Sequence, residues 1–149
     1  MAQNTLPVFS LVPNIGDCQL TGNIASAKSD GTGTIGTDIF LAFTAGANGA
    51  YVSRARINAY ATTPTTTTAT VIRLFLSTQS SGATTAANTQ LIQELAVGAM
   101  GAANATGALM PLEVLLNFAV PAGMTVLASI HANLAANSGF QVVIIGGDY

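Results

Sequence analysis

Enzyme chemistry, metal binding and nucleic-acid recognition all need ionisable side chains. This chain of 149 residues holds one histidine, one cysteine, four Lys or Arg and six Asp or Glu. His131 follows Ile130 in an alternating run and has no carboxylate near it in sequence, so it reads as a structural or solvent-facing side chain, not a general base. Cys18 would need a lowered pKa to act as a nucleophile. Asp17 beside it repels the thiolate instead, and a lone cysteine is ordinarily a small buried hydrophobe. A zinc site would have to draw on one His, one Cys and scattered Asp without any ligand spacing. A carboxylate pair for glycoside cleavage would come from Asp17, Asp30, Asp38, Glu94, Glu113 and Asp148, and Asp17, Asp30 and Asp148 fall in expected loops or at the terminus. The run from Asp30 to Gly36 has the glycines of a phosphate loop but neither its lysine nor a helix after it, and reads as a flexible turn. No catalytic residue, cofactor or metal ligand is assigned, and the chain reads as non-enzymatic.

The basic residues point elsewhere. Arg54 and Arg56 share one face of an expected strand, and Arg73 is placed across a hairpin from them. Like charges so close repel unless each meets a carboxylate or a partner's carbonyl, so the three read as a structural cluster at a subunit contact. A phosphate or nucleic-acid site is disfavoured by the net charge of −2 and the absence of tryptophan.

Strands must position these groups, because helix periodicity is absent and Gly, Thr and Asn interrupt most windows. Ile39, Leu41 and Phe43 alternate with Asp38, Phe40 and Ala42 before the turn cluster Ala45–Gly49. Ala55, Ile57 and Ala59 alternate with the arginines; Ile72, Leu74 and Leu76 alternate with Val71, Arg73 and Phe75. The threonine run from Thr62 to Thr68 between them reads as a hairpin connection or exposed loop. Another strand near Thr89–Val97 sets Leu91, Leu95 and Val97 against Ile92 and Glu94. The clearest alternation puts Leu112, Val114, Leu116, Phe118 and Val120 on one face, then turns at Pro121–Gly123 into Met124, Val126, Ala128 and Ile130. The last strand, Gly139 to Ile145, is apolar on both faces, while Leu6–Val12 and Gln19–Ala27 carry weaker strand signals. About eight strands at fairly even spacing predict one all-β domain over 1–149, an antiparallel β-sandwich of jelly-roll type, with 1–35 as an arm or loop-rich opening segment.

Composition turns this fold towards assembly. Charged residues are 7% of the chain, against about 25% in ordinary globular proteins, so copies repel one another weakly. Phe40, Phe75, Ile92, Leu115, Leu127, Val143 and Ile145 all fall on faces that water would normally reach. Either the chain's own loops cover them or a partner does, and the charge deficit favours a partner, with Val143 and Ile145 as interface candidates. A closed homo-oligomer is expected, a homotrimer ahead of a homodimer. The apolar stretch from Leu109 to Ile130 is broken by Pro111, Glu113, Asn117 and Pro121, which argues against a membrane span. The opening Met-Ala-Gln-Asn-Thr-Leu-Pro lacks a basic and long apolar signal, so synthesis in a cytoplasm is expected.

Several phrases together resemble a known group. They are Leu6-Pro7-Val8-Phe9, Pro13-Asn14, Phe43-Thr44-Ala45-Gly46-Ala47-Asn48-Gly49, Arg56-Ile57, the strand at 71–75, the run from Leu116 to Gly123 and the ending Gly146-Gly147-Asp148-Tyr149. They are similar to small virion proteins of tailed bacteriophages, among them the jelly-roll cement or decoration proteins. The resemblance implies a place on the capsid exterior as dimers or trimers, the major capsid protein as partner, and a host cytoplasm as the site of synthesis. It transfers no binding residue. The alternative is a tail-associated or surface adhesion module of the same class that binds carbohydrate through its loops; Tyr51, Tyr60 and Tyr149 are its only tyrosines and it has no Trp.

Overall fold

The computed structural model describes residues 10–21, 29–61, 65–100, 110–132, 134 and 136–149. Ten strands run through them: β1 (Val12–Thr21), β2 (Gly33–Thr34), β3 (Phe40–Thr44), β4 (Ala50–Ala61), β5 (Thr70–Ser77), β6 (Ala83–Thr84), β7 (Thr89–Val97), β8 (Leu112–Val120), β9 (Thr125–Ile130) and β10 (Ser138–Asp148). Two four-stranded sheets form, ordered β1-β10-β4-β8 and β3-β9-β5-β7, and every pairing in them is antiparallel. The two-residue strands β2 and β6 pair separately as a small ladder. Without that ladder, each sheet interleaves early and late strands, and only the β5–β7 connection stays within one sheet. That order is a jelly-roll sandwich, as the strand count led us to expect.

The core lies between the two sheets. Leu20, Phe43, Val52, Ile57, Ile72, Val120, Ile130, Phe140 and Ile144 have almost no exposed surface, and they come from inward positions of seven strands. Each buried side chain of this size contributes roughly 1.5–3 kcal/mol, so packing alone can hold the domain. The predicted turn at Pro121–Gly123 is present: Met124 N–H donates to the Pro121 carbonyl at 3.1 Å, and Gly123 takes φ +74°. The C-terminus is tied down by Asp148, whose Oδ1 accepts from Asn14 Nδ2 at 2.8 Å and from Gly46 N–H at 3.0 Å. Gly16 is needed where β1 meets β3, since a Cβ there would overlap the Ala42 carbonyl oxygen.

Several expectations need correction. β4 and β5 lie in different sheets, so they do not form the hairpin expected on either side of the threonine run. Its described part is partly internal: Thr67 is buried and exchanges hydrogen bonds with the Met100 backbone, both at 2.9 Å. The opening segment contains a full strand, because β1 pairs with β10 over its whole length. The weaker strand signals at Leu6–Val12 and Gln19–Ala27 lie largely outside the described residues, and β1 joins the end of the first to the start of the second. Finally, β-bulges reset the face assignments in β3 and β7. The register slips between Leu41 and Phe43 and opposite Leu74/Phe75, which turns Phe40 and Ile92 towards the main core and leaves Leu91 partly exposed.

Candidate functional site

The outer faces of the two sheets are built differently. On β3-β9-β5-β7, Phe75 and Leu127 point away from the main core yet are fully buried. Ile39 covers them together with Ile35 and Leu41, forming a second small cluster. The segment carrying Ile35 and Ile39 is pinned by the β2–β6 ladder, by Asp38 Oδ2 accepting from Thr34 N–H at 2.8 Å, and by Asp30 Oδ1 accepting from both Thr32 N–H and Oγ1. The glycine-rich run read as a flexible turn is thus a fixed cap. Four of the seven apolar residues read as outward therefore belong to the chain's own packing, Phe75 and Leu127 under this cap and Phe40 and Ile92 in the main core.

The outer face of β1-β10-β4-β8 has no such cap among the described residues. The register aligns its outward side chains in rows across the four strands. One row runs Ile15, Ile145, Arg54, Leu115; the next runs Asp17, Val143, Arg56, Glu113. Beyond them lie Gln19, Gln141 and Asn58 on one side and Tyr51 and Ala119 on the other. Ile15 is 65% exposed and Leu115 74% exposed, while Val143 and Ile145 between them are half-buried by their neighbours. Four of the five predicted interface residues, Arg54, Arg56, Val143 and Ile145, therefore meet on this face. Ser53 and Asn117 mark bulges beside it: Ser53 Oγ donates to the Ile145 carbonyl at 2.9 Å, and Asn117 takes a left-handed φ of 49°.

The charges on this face are placed unevenly. Glu113 takes both arginines, Arg56 Nη2 at 2.8 Å and Arg54 Nη1 at 3.6 Å. Two guanidiniums on one carboxylate leave a single positive charge on the β4–β8 side. At the opposite edge, Asp17 Oδ2 accepts from Gln141 Nε2 at 3.3 Å. The face thus sets the apolar pair Val143 and Ile145 of β10 between Asp17 on β1 and the arginines of β4, with Glu113 and Leu115 on the far edge strand.

Arg73 does not join the other arginines, because β5 belongs to the opposite sheet. Its guanidinium is buried, with Nε 2.6 Å from Glu94 Oε1 and Nη1 3.1 Å from His131 Nδ1. An arginine only donates, so His131 accepts at Nδ1 and carries its proton on Nε2. The chain Glu94–Arg73–His131 was missed by sequence reasoning, which found no carboxylate near His131. Only the β5–β7 and β5–β9 registers bring those three positions together. Ser129 sits next to Arg73 in that register, but its hydroxyl is fully buried and has no hydrogen-bond partner, so it forms no nucleophile–base pair with His131. Cys18 faces inward from β1; burial first and Asp17 second push its thiol up to about 12. Among the described residues no group of three His, Cys, Asp or Glu could hold a metal ion. A groove of about 280 Å³ between β1 and β3, lined by Asn14, Ile15, Asp17, Leu41 and Thr44, holds one carboxylate and no cationic side chain.

No family model matches the chain, and neither a curated protein nor a solved structure is significantly similar to it.

Proposed function

We propose that the protein is a non-enzymatic structural subunit of a virion, a cement or decoration protein that binds the outside of the major-capsid lattice and stabilises it. One observation carries the reading: the outer face and ends of the β1-β10-β4-β8 sheet hold large apolar side chains that no described residue covers, beside Asp17, Arg54, Arg56 and Glu113. Besides Ile15 and Leu115, Leu11 is 80% and Met110 88% exposed, and Leu11 and Met110 flank the two edge strands at opposite ends of the sheet. A free monomer rarely keeps so many large apolar side chains in water around one sheet. The 7% charge content supports the same reading, because it leaves little to oppose association. Repetition on a lattice would let modest individual contacts sum to firm attachment.

The test is to strip or omit this polypeptide from particles, add back the purified protein, and image the result by electron microscopy. Saturable density at symmetry-related sites on the shell, with particles that resist heating better, is the expected outcome. Density confined to a tail or fibre, or no binding at tens of micromolar, overturns the proposal.

A further inference from the structure

The outer face of β1-β10-β4-β8 changes character along its strands. Ile15, Ile145 and Leu115 lie towards one end, while Gln19, Gln141 and Asn58 form a row of three amides towards the other. The row after the amides is Thr21, Gly139 and Tyr60. Tyr60 leans from β4 across β10, and its ring is seated on Gly139. A Cβ there would come 2.7 Å from both Cε1 and Cζ, so only glycine leaves room for the ring. The Tyr60 hydroxyl stands 3.5 Å from Gln19 Oε1 on β1. One side of the ring thus rests on backbone, and the residue stays partly exposed on the other. Asp17 borders the amide row and accepts from Gln141 Nε2 at 3.3 Å. Among the described residues, the Gln19 amide nitrogen, the Gln141 amide oxygen and the Asn58 amide carry no hydrogen bond.

We infer that Tyr60 and these amides form a binding site for a neutral glycan. A sugar ring has an apolar C–H side that packs on an aromatic ring, and each of its hydroxyls both donates and accepts. The three amides and Asp17 offer donors and acceptors over about 10 Å of sheet, which a run of hydroxyls can satisfy together. Other stacking ligands fit less well. A nucleic acid would bring phosphates against Asp17 and a chain of net charge −2. A proline-rich peptide supplies carbonyl acceptors but few donors for the Asp17 and Gln141 oxygens. A carboxylated sugar would meet Asp17 as a like charge. With no tryptophan in the chain, a tyrosine supplies the platform, and Gly139 is what lets it lie there. The site is roughly 20 Å along β10 from Ile145, so a partner on the apolar end leaves it open. It does not rest on the capsid reading, although repetition on a shell would make many weak contacts count together.

A titration of the isotope-labelled protein, followed by amide chemical shifts, tests it. The probes are methyl β-glucoside, methyl β-galactoside, methyl α-mannoside and the corresponding disaccharides. At least one should shift amides of residues 17–21, 56–60 and 139–143 saturably, with dissociation in the millimolar range. Tyr60→Ala should weaken that sugar roughly tenfold or more. Tyr60→Phe keeps the ring and should stay within about threefold of the unmodified protein, while Asn58→Ala should weaken binding by about threefold or more. Tyr51→Ala, at the far end of the face, should leave binding unchanged. All four variants should keep the far-ultraviolet spectrum of the unmodified protein. No shift with any of these sugars, shifts confined to other residues, or binding that Tyr60→Ala and Asn58→Ala both leave intact would overturn the site. Tyr60-dependent binding of a polyproline peptide without sugar binding would overturn the glycan and give the platform to a peptide. The free protein is used throughout, so the outcome is independent of whether particles are decorated.

Discussion

Both sheets carry apolar residues on their outer faces, and the chain treats the two faces in opposite ways. Phe75 and Leu127 on β3-β9-β5-β7 are sealed under Ile35 and Ile39 by a segment fixed through its own side-chain hydrogen bonds. Val143, Ile145, Ile15 and Leu115 on β1-β10-β4-β8 are covered by no described residue, and Arg54 and Arg56 of the inner strand β4 stand among them. The ion pairs differ too: Arg73 on the first sheet is buried, whereas Arg54 and Arg56 on the second are exposed. A strand that is apolar on both sides therefore has two distinct causes, a fold that caps itself and a fold that keeps a face for association.

The largest contrast should come from adjacent residues of β10. Ile144 is fully buried between the sheets and Ile145 lies on the open face. A lysine at 144 would strand an ammonium in the core at a cost of several kcal/mol, comparable with the whole stability of a domain this size. Ile144→Lys should be insoluble or unfolded. Ile145→Lys should melt within a few degrees of the unmodified protein and lose self-association. Equal damage from both would mean the open face is covered after all.

Truncation compares the two outer faces directly. Phe75→Ala opens a cavity under the cap and should cost about 3–5 kcal/mol in denaturant unfolding. Leu115→Ala, on a side chain 74% exposed, should cost less than about 0.5 kcal/mol when measured on the monomer. A small loss at Phe75 would show the cap to be loosely packed.

The sequence carried the sandwich and much of its alternation, because period-two patterning reports burial directly. Val114, Leu116 and Phe118 all face inward as read, and so do Ile72, Leu74, Val126 and Ile130. The faces of β3 and β7 were misread because a bulge inserts one residue and reverses everything beyond it, with no marker at Ala42 or Ile92. The pairing of Arg73 with Glu94 and His131 was illegible for a different reason: it depends on which strands are neighbours, and periodicity is silent on neighbours. Arg54 and Arg56 share a face with Val143 and Ile145 because β4 and β10 pair, a juxtaposition that periodicity did not state. The cap over Phe75 could not be told from an interface, since Ile35 and Ile39 sit in a glycine- and threonine-rich stretch that looks like any loop.

Smaller effects should separate the ion pairs. Arg73 is 9% exposed in its side chain and loses a charged partner in Glu94→Gln, which should destabilise by about 1–2 kcal/mol. Glu113→Gln touches arginines that are nearly half exposed and screened by water, so its cost should be under about 0.5 kcal/mol in monomer stability. Raising salt should shrink the second difference and leave most of the first. Equal costs would remove the distinction between a structural arginine on one sheet and associating arginines on the other.

The smallest effect at neutral pH belongs to Cys18, which tests whether the edge strand β1 is as well sealed on its inner side as it is open on its outer. Its thiol is raised from 9.0 to about 12, by burial first and by Asp17 second. Unfolded chains ionise first, so between about pH 9 and 12 the unfolded state binds fewer protons than the folded one. Stability linked to this thiol is therefore complete below pH 9 and lost progressively as pH rises towards 12. Tyr60 is also raised by burial and adds a loss of the same sign, so the unmodified protein alone would not isolate the thiol. Cys18→Ala keeps Tyr60 and removes only the thiol's share. The stability difference between the unmodified protein and Cys18→Ala should be flat from pH 6 to 8 and shift against the unmodified protein above pH 9. The same burial predicts no reaction with a thiol reagent at pH 8 until denaturant is added. Rapid labelling of the native protein would mean that β1 lifts from β3 and that the Gly16–Ala42 contact does not close that edge.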